Sequence, residues 1–179
     1  MRIVLYLVHA LGNMSNINHC GYGYSKNICE DITSWFVNNF FPRHKINLTV
    51  LHRGLKREHA LGYCDVMTDV EEYPHRPRNF LIELDTYMDE ETYSLTLFHE
   101  LTHMAQWIRG DLRSRYGKLC YSLEPVENYD YEDQPHEIEA REEEIRLYER
   151  YLNEKQVVPA EEPSQGWCNR LCGGAIITK

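Results

Sequence analysis

His99, Glu100 and His103 are the residues whose types and spacing point most directly to chemistry; they lie in SLTLFHELTHMAQWI, residues 94–108. Side chains four apart stack on one face of a helix, so the two imidazoles of His-Glu-Leu-Thr-His can share one tetrahedral metal ion. Glu100 falls one step round, where its carboxylate can act as general base on a water held by the metal without ligating the metal itself. Between Ser94 and Gln106, Glu100 is the one charged residue. At about 100° per residue, Leu97, Phe98, Leu101, Met104, Ala105 and Ile108 form an apolar stripe, with Thr96, His99, Glu100, His103 and Trp107 opposite. The pattern predicts a helix that packs into a core on one side and lines a cleft with the other.

A catalytic zinc site usually takes three protein ligands and keeps an open position. The spacing that would supply a third His from the same segment needs Gly at 106 and His at 109, and these are Gln106 and Arg109. A later carboxylate is the other common solution. PHEIEAREEE (135–144) offers His136, Glu137 and Glu139. On a helix starting at Pro135, Ile138, Ala140, Ile145, Leu147, Tyr148, Tyr151 and Leu152 make an apolar stripe with Glu137 near its centre. Glu139 points away, beside Glu142, Glu143, Arg146 and Arg150. An acid inside an apolar stripe is costly unless paired, and a metal is a good partner. Glu137 is therefore the expected third ligand, with Glu139 the alternative; His136 lies off the stripe. A helix-dipole role in the first turn is the other reading of Glu137. Arg141 and Glu144 flank the stripe and could orient a ligand.

The elements that must hold these groups follow from periodicity and turn residues. Strands are predicted over residues 2–8, 46–51, 61–70 and 79–88, with a polar loop over 12–23. Helices are predicted over 25–41, from Asp89 or Glu90 to Gly110, and from Pro135 to Leu152. Residues 111–134 read as mostly irregular, with a short strand at 119–123. The expected fold class is α+β: a small, twisted, mostly antiparallel sheet packed on a central motif helix and a second ligand-bearing helix. One domain is expected over 1–153, followed by an irregular tail over 154–179 that carries Cys168 and Cys172.

FHELTHMAQW followed by QPHEIEAR resembles the gluzincin-type zincins, whose second motif is Glu-x-x-Ala, and is similar to small phage and bacterial SprT-like or minigluzincin-like metallopeptidases. The resemblance covers residues 79–152. It implies a zincin-like fold, one zinc ion held by His99, His103 and Glu137, Glu100 as general base, and hydrolysis of peptide bonds. It also implies that the strand over 79–88 borders the cleft and can pair with an extended peptide. Relatives often carry Asp or Asn after the alanine to orient a ligand His; here that residue is Arg141, so the supporting groups must differ.

With 42% hydrophobic and 26% charged residues among 179, the composition is that of a globular domain. The net charge of -9 argues against a broad nucleic-acid-binding face, and no apolar run is long enough to span a membrane. The six scattered cysteines fit reduced thiols. The expected setting is the cytoplasm of a bacterial or phage-infected cell, with a protein or peptide substrate as partner. A catalytically silent zincin-fold binding protein, or a peptidase acting on DNA-associated proteins, are the alternatives.

Overall fold

The computed structural model describes residues 15–23, 25–68 and 73–157. Strand β1 (Asn16–Gly21) leads into helix α1 (Lys26–Phe40) and strand β2 (Asn47–His52). Strands β3 (Gly62–Val66) and β4 (Asn79–Leu84) follow, then the motif helix α2 (Glu90–Arg109). A small three-stranded sheet, β5 (Leu112–Arg115), β6 (Lys118–Tyr121) and β7 (Glu124–Pro125), separates α2 from α3 (Pro135–Val157). The class is α+β.

The main sheet has the order β1-β2-β4-β3. β1 runs parallel to β2 and β2 parallel to β4; only β3 is antiparallel, on β4. The expectation of a mostly antiparallel main sheet is thus corrected to a mixed one. For β1 and β2 the physical reason is α1, which returns the chain to its starting end; β2 and β4 lie parallel because the chain runs back along β3, which falls between them in sequence and lies at the sheet edge. β1 itself falls within the stretch expected to be loop. Its sequence, NINHCG, is polar because no residue in it is fully buried, and its pairing with β2 is a matter of backbone register. The strand expected over residues 2–8 lies outside the described residues.

β2 and β4 share one burial pattern. Leu48, Val50 and His52, then Phe80, Ile82 and Leu84, face the helices, while the alternate residues are exposed or half-buried. α1 and α2 cover the inner face; Phe98, Leu97, Leu101 and Met104 of α2 are fully buried there. Each such side chain contributes roughly 1.5–3 kcal/mol by leaving water. Asp89 caps α2 by accepting from the Thr92 N–H at 3.0 Å, and Gly110, at φ 85°, ends it by donating to Gln106 and Trp107 carbonyls. Trp35 Nε1 donates to Glu154, and Lys155 pairs with Asp31, which ties the last turns of α3 to α1. α3 accordingly runs to Val157, past the end expected at Leu152.

The short strand expected over 119–123 is present as β6, whereas its partners β5 and β7 were not expected. The turns between these strands, Tyr116-Gly117 and Ser122-Leu123, each place two consecutive residues at positive φ, the geometry that joins adjacent antiparallel strands in two residues. Three of those four residues are not the Gly, Asn or Asp that usually signal such a turn. The apolar stripe read on α3 is also revised. Ile138, Ile145 and Leu152 are exposed, whereas Glu137, Ala140, Leu147 and Tyr151 are buried and Glu144 half-buried. Among the described residues no helix is long and apolar enough to cross a membrane. Cys20, Cys29, Cys64 and Cys120 are unbridged; Cys168 and Cys172 lie outside the described residues.

Candidate metal centre

α2 and α3 pack against one another and bring His99, His103 and Glu137 together, with one ligand atom from each within 4.8 Å of the others. The Nε2 atoms of the two histidines are 3.1 Å apart. Glu137 Oε2 lies 3.3 Å from His99 Nε2, and Oε1 lies 3.5 Å from His103 Nε2. This group could hold a metal ion.

The surrounding hydrogen bonds decide which ring nitrogens carry protons. Glu144 Oε2 lies 2.8 Å from His99 Nδ1, and a carboxylate only accepts, so Nδ1 is the donor. Gln106 Nε2 donates to the His136 carbonyl and to Glu139 Oε2, both at 2.9 Å. That fixes the amide with Oε1 toward His103 Nδ1, 2.9 Å away, and makes that nitrogen a donor as well. Both Nε2 atoms therefore present lone pairs to each other and to a carboxylate. Three acceptors converging at this range repel unless a cation sits among them, so the donor set fits a metal. The same arrangement draws a proton. Burial opposes charging His99, but Glu137, Glu144 and Glu100 outweigh it and lift its imidazolium to about 10. Burial also disfavours the Glu137 carboxylate, yet His103 and His99 hold it well below the usual carboxylate range.

Glu144, expected as a possible supporting group, thus orients His99 through its Nδ1. Arg141 points elsewhere and pairs with Glu132. Glu139, the alternative ligand, neither reaches the cluster nor lies on a fully solvated face. Its carboxylate accepts from Tyr121 at 2.6 Å and Arg109 at 2.9 Å as well as from Gln106. His136 is buried with Nε2 3.5 Å from Glu137 Oε1, while its Nδ1 has no partner. Gln106 was missed in the sequence, although its spacing, three residues after His103 on one helix, was a usable signal.

Glu100 is 5% exposed and borders the same cavity, about 1040 Å³ in volume. Burial raises its carboxyl to about 7, against the pull of His103 and His99 and with help from Glu137 and Glu144. That value suits a group that takes and returns a proton near neutrality. The backbone of β3 passes directly over it. A Cβ on Gly62 would stand 2.6 Å from Glu100 Oε1, so any side chain there must displace the Glu100 carboxyl or the strand, and nothing in the sequence signalled this. β3 is also the strand at this edge of the sheet. β4, expected to border the cleft, is enclosed between β2 and β3 and has no free backbone edge. Trp107 is buried on the cavity wall and stacks on Tyr73, with ring centroids 5.2 Å apart.

The chain matches no family model, no curated protein and no solved structure.

Proposed function

We propose that this chain is a zinc-dependent hydrolase of peptide bonds. The observation that carries the reading is the convergence of His99, His103 and Glu137 as three acceptors beside a buried carboxyl, Glu100, on an open cavity. Two imidazoles and one carboxylate form a donor set typical of catalytic zinc, which leaves a position for water or substrate. Zinc bound there supplies a Lewis acid for the scissile carbonyl and lowers the pKa of water toward neutrality. Glu144 and Gln106 hold the two rings with Nε2 toward the metal position. Glu100 accepts the proton of the attacking water and returns it to the leaving amine. The exposed edge of β3 can hold an extended peptide by backbone hydrogen bonds, while Gly62 keeps that edge close to Glu100.

The deciding experiment compares wild type with Glu100→Gln after zinc loading. The expected outcome is equal zinc content and loss of hydrolysis of a peptide library. Equal turnover by the variant would overturn the mechanism.

His136 favours a second reading. If its imidazole became a fourth ligand, the site would be closed and purely structural, as in a zincin-like binding protein. His136→Ala would then lose zinc as completely as His103→Ala does, whereas the catalytic reading has it retain the ion. Action on DNA-bound proteins finds no support at the cavity, which no Lys or Arg lines among the described residues.

A further inference from the structure

We infer that the cleft selects cationic peptides, with Lys or Arg side chains flanking the bond placed at the metal position; this rests on the peptidase reading above and names its substrate class. Among the described residues, no Lys or Arg lines the cavity. Cationic side chains gather elsewhere: Arg76, Arg78, Arg109 and Arg146 line a separate groove formed by α1, α2, α3 and the loop before β4.

Within the cavity the charges run the other way. At its centre Glu137 and Glu144 alone offset the charge of a single divalent ion, so the centre offers an incoming acid no net positive charge. On the wall formed by β3, Asp65 is exposed and has no ion-pair partner among the described residues, whereas the nearby Glu58 is engaged by Arg53. An uncompensated carboxylate on the edge strand faces whatever peptide that strand receives. Clefts of one sign with low-dielectric walls focus their field on an incoming charge of the opposite sign.

The aromatic lining is the second observation. Tyr63, Tyr73 and Tyr131 are exposed at 38%, 42% and 63%, and Tyr73 lies against Trp107. Exposed rings next to carboxylates are a good receptor for guanidinium and ammonium groups, whose alkyl stems pack on the ring and whose charge is attracted to its face. An acidic peptide would meet repulsion from Asp65, with no Lys or Arg among the described lining residues to offset it.

The test measures binding and cleavage separately. Zinc-loaded Glu100→Gln is titrated with dansyl-labelled peptides of one length carrying Lys and Arg, Asp and Glu, or Ser and Gln, at low and high salt. The basic set should bind roughly tenfold more tightly than the acidic set, with the gap narrowing as salt rises. Added to that background, Asp65→Asn should shrink the gap several-fold and Asp65→Lys abolish it. Glu149→Gln, which removes the same charge from the exposed side of α3, should leave it unchanged.

Equal binding of all three sets, tighter binding of the acidic set, or equal effects of Asp65→Asn and Glu149→Gln would overturn the inference. Cleavage by wild type without basic preference in kcat/KM would overturn it as well while leaving the peptidase reading intact. Selective binding of basic peptides that wild type never cleaves would uphold the recognition chemistry and overturn hydrolysis.

Discussion

Two carboxylates only two positions apart on α3 end in different surroundings. Glu137 faces the two imidazoles, while Glu139 gathers Gln106, Tyr121 and Arg109. Metal analysis of Glu137→Ala should therefore give near-complete loss of zinc. Glu139→Ala, which loosens only the support behind His103, should weaken zinc binding by about 10–100-fold. A larger loss in the second variant would reverse the assignment. Glu100 gives a prediction with a defined sign. Its folded-state carboxyl lies near 7, above its ordinary value of 4.5, so the native state binds that proton more tightly than the unfolded chain. In zinc-free protein the charged carboxylate opposes folding increasingly as pH rises from about 4.5 to 7, by about 3 kcal/mol in the limit. Chelator-treated Glu100→Gln should accordingly be more stable than wild type at pH 8. Denaturation curves should show the difference vanishing as the pH falls to about 4.5, and a difference independent of pH would show that the carboxyl is not perturbed.

At the scale of elements, α2 carries the groups and β3 closes over them. The contact between the two is the narrowest place in the site, because Gly62 leaves no room for a side chain above Glu100. Gly62→Ala must push the carboxyl or the strand aside, and a displacement near 1 Å typically costs on the order of 100-fold in rate. The expected result is a large fall in kcat/KM with unchanged zinc content, since the ligands sit on α2 and α3. Unchanged kcat/KM would mean that neither the position of Glu100 nor the β3 edge matters to the reaction. The small β5–β7 sheet contributes Tyr121, from the short strand the sequence predicts, and its hydroxyl donates to Glu139 behind the site.

At the scale of the whole molecule, a metal ion would add a bridge between α2 and α3, helices already packed on one another and linked by hydrogen bonds from His99, Gln106 and Arg109 to α3. Binding to the folded state alone stabilises it by about 4 kcal/mol at a thousandfold excess over Kd. For a chain of this size that corresponds to a rise in Tm on the order of 10 °C. Calorimetry with added zinc and with chelator reads this directly, and coincident transitions would argue that no folded-state metal site exists. The charge distribution belongs to this scale too, since an acidic cavity and an arginine-lined groove occupy different parts of one acidic protein.

The sequence by itself determined the local features. The His99–His103 spacing, the Asp89 and Gly110 ends of α2, and the start of α3 at Pro135 all follow from helical period and capping chemistry, which act within a few residues. It also singled out Glu137, although partly for the wrong neighbours, since Ile138 and Ile145 of its expected stripe are exposed. Only the tertiary structure decided that Glu144 and Gln106 orient the two histidines, that Glu139 belongs to the support behind them, and that β3 rather than β4 borders the cleft. These depend on which faces of distant segments meet. Parallel pairing, a turn without glycine at Ser122-Leu123 and a strand passing over a carboxylate are set by packing between elements, and that leaves no period in the chain to read.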